Sequence, residues 1–192
     1  MAYERIPPQI STSDILNAAF DPNSILVPSL NLIIVNQLGL LAVIKSKNGK
    51  LLKIPEGTVH RPKIGENPLE KVMTTVKTRS NATLGHAAQV VKDQVRLVPY
   101  LHRTESGVHE PEQRRWPKAI GTAYMPVVVP TIIFGEDPKK KYEITWAETD
   151  QALDLLLENY QSYESERTRM SMEAIQVSRP EIGAITASTA RR

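Results

Sequence analysis

Between His102 and Trp116 the chain reads HRTESGVHEPEQRRW, which sets two histidines, His102 and His109, among Glu105, Glu110 and Glu112. Imidazole and carboxylate groups this close can share a proton as an acid–base pair. The spacing matches no metal-ligand motif, and a polar surface loop is the plainer use of such a stretch. Loops nevertheless carry function out of proportion to their length, so His109, Glu110 and Glu112 are taken as candidate catalytic residues. A second cluster is cationic. From Thr58 to Arg79 there are five basic residues, Arg61, Lys63, Lys71, Lys77 and Arg79, against two acids, Glu66 and Glu70. These cations could hold an anion or simply form a solvated face. Thr74, Thr75 and Thr78 fall in the same span and are poor helix formers; their small hydroxyls could line a cavity. Trp116 and Tyr124 could wall that cavity or pack in the core. The chain has no cysteine, which excludes disulfides, thiol catalysis and cysteine-ligated zinc or iron–sulfur chemistry.

Something must hold these groups. Residues 25–35 are apolar and branched, a pattern for a strand buried on both faces. Gln37 to Gly39 predicts a turn and residues 40–44 a second strand. Asn48-Gly49 is a strong hairpin signal, returning the chain through Leu51 to Ile54. Pro68 suits the first turn of a helix, and Leu69, Val72, Met73 and Val76 make one apolar helical stripe. Asn81 is a reasonable left-handed stop for it. Residues 90–101 and 120–129 read as strands, Ile132 to Phe134 as a short strand or plug, and Tyr142 to Trp146 as extended. Glu148 or Thr149 opens a long helix, with Ala152, Leu153, Leu156, Leu157 and Tyr160 on one face, continuing to about Gln176. Ser13 could cap a short helix through Phe20. The expected organisation is an extension over 1–24, a domain over 25–176 and a mobile tail over 177–192.

Composition narrows the partners. Hydrophobic residues make up 41% of 192, enough for one real core, and no run approaches the roughly 18 apolar residues of a membrane span. Met1 to Pro8 has no apolar stretch, so no secretory signal is expected, and a cytoplasmic location is the simpler expectation. A net charge of +3 and only two Phe and two Trp argue against a nucleic-acid surface built on basic patches and base stacking.

The stretch LLKIPEGTVHRPKIGENPLEKVMTTVKTRSNA, Leu51 to Ala82, resembles the Nudix signature region. Pro55-Glu56-Gly57 is similar to its glycine turn, with Glu56 in place of one Gly, and Gly65-Glu66 to the pair before its helix. The intervening loop is about three residues longer than usual for the family. Tyr142 to Leu156 resembles the family's closing strand and following helix. The resemblance implies an α/β fold, a Nudix-type α/β/α sandwich around a mixed sheet, here with an extended C-terminal helix. It also implies glutamates on one helix face that collect magnesium. Counted from Glu66, those positions fall on Thr74, Thr75, Thr78 and Arg79, and the closing Gly on Asn81. Neutral hydroxyls and a guanidinium replace hard carboxylate ligands.

The expectation is therefore a protein without standard diphosphate hydrolysis that binds a small anionic or nucleotide-like ligand. Glu66 is the surviving acid, and Arg61, Lys63, Thr75, Thr78, Arg79 and Trp116 are the ligand-binding candidates. No metal or other cofactor is expected. Two alternatives stand beside it: a metal-independent biosynthetic enzyme using the 102–112 loop, and a magnesium-dependent hydrolase with relocated acids Glu66, Glu110 and Glu112. The late helix, with Leu153, Leu156, Tyr160 and Tyr163, could support a homodimer or pack on its own sheet.

Overall fold

The computed structural model describes residues 16–17, 20, 26–104, 114, 116–137 and 141–189. Its sheet is built on one long pair. Strand β1 (Leu26–Val35) runs parallel to β8 (Gly121–Ile133) along its whole length, from Leu26 opposite Gly121 to Val35 opposite Pro130. The other pairings are antiparallel. β2 (Leu41–Ser46) follows β1 through the turn at Gly39 and pairs with β3 (Leu52–Lys53) and β9 (Tyr142–Ala147). Asn36 fixes that turn, its side-chain oxygen accepting from the amides of Leu38 and Leu40. β4 (Glu56–Thr58) pairs with β1. β5 (Ala88–Val90), β6 (Arg96–Leu97) and β7 (His102–Thr104) pair in turn with the far side of β8.

Two expectations are corrected along that far side. The 90–101 stretch is not one strand, and 120–129 does not stop before Ile132. The carbonyls of Pro126 and Pro130 point away from β1 and accept from Val98 and Val91. Their missing amides would face the same way, and proline cannot donate to a ladder. The facing chain is accordingly cut into short pieces with a 3-10 turn at Lys92–Gln94, while β8 itself runs on to Ile133.

Alternate residues of β1 feed two cores. Leu30, Leu32 and Ile34 join Val127 and Val129 under helix α1 (Pro68–Leu84), which adds Val72 and Val76. Ile33 and Val35 join Val43 and Val128 on the opposite face. Three helices cover that second face: α2 (Thr149–Tyr163), α3 (Glu166–Val177) and α4 (Arg179–Thr189). They contribute Ala152 and Leu156, Ala174 and Ile175, and Ile182 and Ile185 respectively. The architecture is an α/β/α sandwich around a mixed sheet.

The C-terminal helix is not continuous. Glu164 takes the left-handed conformation at φ 49°, ends α2 and redirects the chain into α3. Residues 179–189 form α4 and bury Ile182 and Ile185, where the sequence suggested a mobile tail. Helix α1 starts as expected, with Asn67 accepting from the Leu69 amide ahead of Pro68. It ends one turn later than Asn81, at Gly85, whose φ of +80° closes it. Leu16 and Phe20 are buried in the first core; the proposed cap at Ser13 lies outside the described residues. No helix among the described residues is long and apolar enough to cross a membrane.

Candidate functional site

The signature-like helix α1 and the turn before it meet at Gly57. A Cβ on Gly57 would lie 2.5 Å from Arg79 Cγ and 3.1 Å from Thr75 Cγ2. Only glycine lets β4 and α1 approach so closely. The stem of Arg79 therefore lies on the turn, while the residue as a whole remains exposed. Thr75 is buried and its hydroxyl donates to the Lys71 carbonyl at 3.0 Å, so it is spent within its own helix. Thr74 and Thr78 are exposed. Thr74 lines a cavity of about 350 Å³ with Met73, Val76, Lys77, Val90 and Lys92.

Glu66 is engaged in the loop. Its Oε2 accepts from the Lys63 amide at 2.6 Å and meets Lys71 Nζ at 2.9 Å. The Lys63 amide, then Lys71, hold its carboxyl below the ordinary glutamate value. Arg61 places its guanidinium 5.5 Å from the centroid of the Trp116 ring, and that ring is buried in the first core. Lys63 is exposed beside them in sequence.

His109, Glu110 and Glu112, with Glu105, lie outside the described residues. His102 is described and lies on β7, buried, directly opposite Tyr124 of β8. Its Nδ1 stands 3.2 Å from Glu173 Oε2, and the Tyr100 hydroxyl donates to the other carboxylate oxygen. The His102 contact is the main influence lowering the Glu173 pKa; burial opposes it and Tyr100 adds to it. Beyond the sequence candidates, the fold thus assembles a Tyr100–Glu173–His102 cluster. Glu56 accepts from Lys53 at 2.6 Å and pairs with Arg167 at 3.1 Å. Burial, and then the negative Glu56, push the Tyr124 hydroxyl above its ordinary pKa, so it stays a donor across the neutral range.

The positions that the resemblance gives to magnesium ligands hold no carboxylate. Hard divalent cations take several oxygen ligands, usually including carboxylates. Thr74, Thr75, Thr78 and Arg79 supply none, and among the described residues no three His, Asp or Glu side chains are grouped to hold a metal ion.

No protein-family profile matches the chain, and no curated protein matches it in sequence. Solved structures do match in shape. Tm1382, described as a candidate Nudix hydrolase, superposes with a TM-score of 0.53 at 15% identity, covering 91% of this chain and 88% of that one. The E. coli dihydroneopterin triphosphate pyrophosphohydrolase gives 0.47 at 14% identity over 80% and 96%. A UDP-X diphosphatase gives 0.44 at 12% over 94% and 73%. What the first of these shares with the chain is the path of the backbone, and with the α/β/α layers and the Gly57–α1 junction described above it shows that the chain has the Nudix fold.

Proposed function

We propose that this protein binds an anionic, nucleotide-like small molecule where α1 meets the Gly57 turn, and that it does so without metal-dependent diphosphate hydrolysis. One observation carries the reading. Arg79 stands where the resemblance expects a metal-binding glutamate, is exposed, and has no acidic partner among the described residues. A guanidinium presents five donors in a planar fork that suits phosphate oxygens. Thr78 adds a hydroxyl beside it, and Arg61 and Lys63 are the loop cations that would extend the site. Titration calorimetry with ADP, with and without magnesium, tests the idea. Binding should be independent of magnesium, and Arg79→Glu should weaken it at least tenfold. Magnesium-dependent release of phosphate from nucleoside diphosphate compounds would overturn it in favour of a hydrolase using Glu66, Glu110 and Glu112.

A second reading has its own support. A carboxylate beside one imidazole nitrogen fixes the orientation of the ring, and Glu173 stands in that relation to His102. This favours metal-independent acid–base chemistry, with His109 and Glu110 as further candidates. Metal-free turnover abolished by His102→Gln would establish it; turnover unchanged in that variant would exclude His102.

A further inference from the structure

The margins of the sheet are not alike. On the far side of β8 the edge is made of β5, β6 and β7, two or three residues each, and β3 and β4 are equally short. Short pieces are one way in which a sheet avoids pairing with another chain. β9 is different. It pairs with β2 over all six of its residues, from Ala147 opposite Leu41 to Tyr142 opposite Ser46, and among the described residues no strand pairs with its other side. An edge strand of this kind presents its outward amides and carbonyls to a new strand.

None of the usual guards stands on that edge. Tyr142 to Ala147 reads YEITWA, with no proline, glycine or lysine, and Tyr, Ile, Thr and Trp all favour strands. Its one charge, Glu143, is already countered within the sheet by Lys45 at 2.9 Å. Alternation puts Tyr142, Ile144 and Trp146 on one face and Glu143, Thr145 and Ala147 on the other. The first set lies on the side of the first core. Ile144 and Trp146 pack against the rim of that core, and all three are only half-buried.

The residues of the edge say which strand it fits. A two-fold axis uses the same patch on both copies, so it pairs a strand with its own copy antiparallel. With the axis at Ile144, Tyr142 of one copy stands opposite Trp146 of the other, and this happens twice. Ile144 stands opposite itself, and Glu143 opposite Thr145, a carboxylate facing a hydroxyl donor. Aromatic and apolar pairs stabilise an antiparallel ladder, and like charges directly opposite destabilise it. An axis at Glu143 would set two carboxylates against each other. An axis at Thr145 would set Tyr142 against Glu148 and lose both aromatic pairs. We propose that the protein forms a two-fold homodimer by joining β9 to β9 about Ile144, so that one sheet runs through both copies and the open sides of Ile144 and Trp146 are covered. The contact is made by the sheet rather than by the apolar face of α2, whose Ala152 and Leu156 are buried in the chain's own second core. It does not rest on the ligand proposed above.

The chain has no cysteine, so a single introduced thiol can be oxidised only against its own copy. Sedimentation equilibrium of the full chain should give a dimer that dissociates on dilution. Facing Cα atoms of an antiparallel ladder lie about 4.5–5.5 Å apart, within the span of about 4.4–6.8 Å that a disulfide bridges. Ile144→Cys should therefore cross-link two chains under mild oxidation. Glu143→Cys should not, because its position faces Thr145 rather than its own copy. Thr145→Glu sets like charges opposite each other at both ends of the ladder and should weaken the dimer roughly tenfold. Thr145→Lys sets opposite charges there and should leave the dimer as tight or tighter. Thr145 is exposed, so this pair of variants serves if Ile144→Cys does not fold. A chain that stays monomeric at high micromolar concentration overturns the inference. So does a dimer on which Thr145→Glu and Thr145→Lys act alike, or one that cross-links through Glu143→Cys and not through Ile144→Cys.

Discussion

Glu66 and Glu173 are both held in the charged form, by different neighbours and with different consequences. Glu66 is half-buried and ties the 63–66 turn to the start of α1. Glu173 joins α3 to β7 through His102 and Tyr100. A carboxyl whose folded pKa is depressed contributes stability above its unfolded value, and that contribution is lost as pH falls through the folded one. The native chain should therefore lose melting temperature as pH drops below the ordinary glutamate range, and Glu173→Gln should show a shallower fall there. Parallel melting curves for the two across that range would remove Glu173 from the acid transition. The residue scale was only partly legible in the sequence. Glu66 could be read because Gly65, Asn67 and Pro68 mark a helix start around it. Glu173 could not, because it sits in a weakly periodic polar stretch and its partners come from a strand far away in the chain.

At the scale of elements, small residues and prolines decide where strands meet. Gly121 opens β8 with a Cβ position 2.0 Å from the Thr104 carbonyl oxygen. That atom is backbone within a paired strand and cannot swing aside. Gly121→Ala should cost about 1–3 kcal/mol, typical of overpacking, read as a lower urea midpoint at unchanged slope. A midpoint unchanged within error would mean that β7 shifts freely on β8. The hairpin at Asn48-Gly49 and the onset of α1 followed from local chemistry. The division of the 90–101 stretch did not, since it is imposed by Pro126 and Pro130 on a neighbouring strand. The break at Glu164 was equally hidden: a non-glycine residue in left-handed conformation has no dependable sequence mark.

Over the whole molecule, the two cores lie on opposite faces of the sheet they share. Leu156 is fully buried in the second, and Leu156→Ala should cost about 2–5 kcal/mol by equilibrium denaturation. Ending the chain after Ser178 would remove Ile182 and Ile185 from that core. Each buried isoleucine contributes roughly 1.5–3 kcal/mol, so the shortened protein should melt markedly lower; an equal melting temperature would show α4 to be dispensable. The layer order was foreseeable from the resemblance carried by Leu51 to Ala82 and Tyr142 to Leu156, whereas the packing of α4 was not, because its small residues carry little amphipathic signal. The parallel pairing of β1 with β8 also sets an order of events during synthesis. β1 is made early but meets its full-length partner only after every element from β2 to β7 has been produced, and long-range pairing of this kind is slow to form. Until β8 leaves the ribosome, the most apolar strand of the chain has nothing to cover it along its length, so the nascent protein should depend on chaperone shielding up to that point and release it soon after.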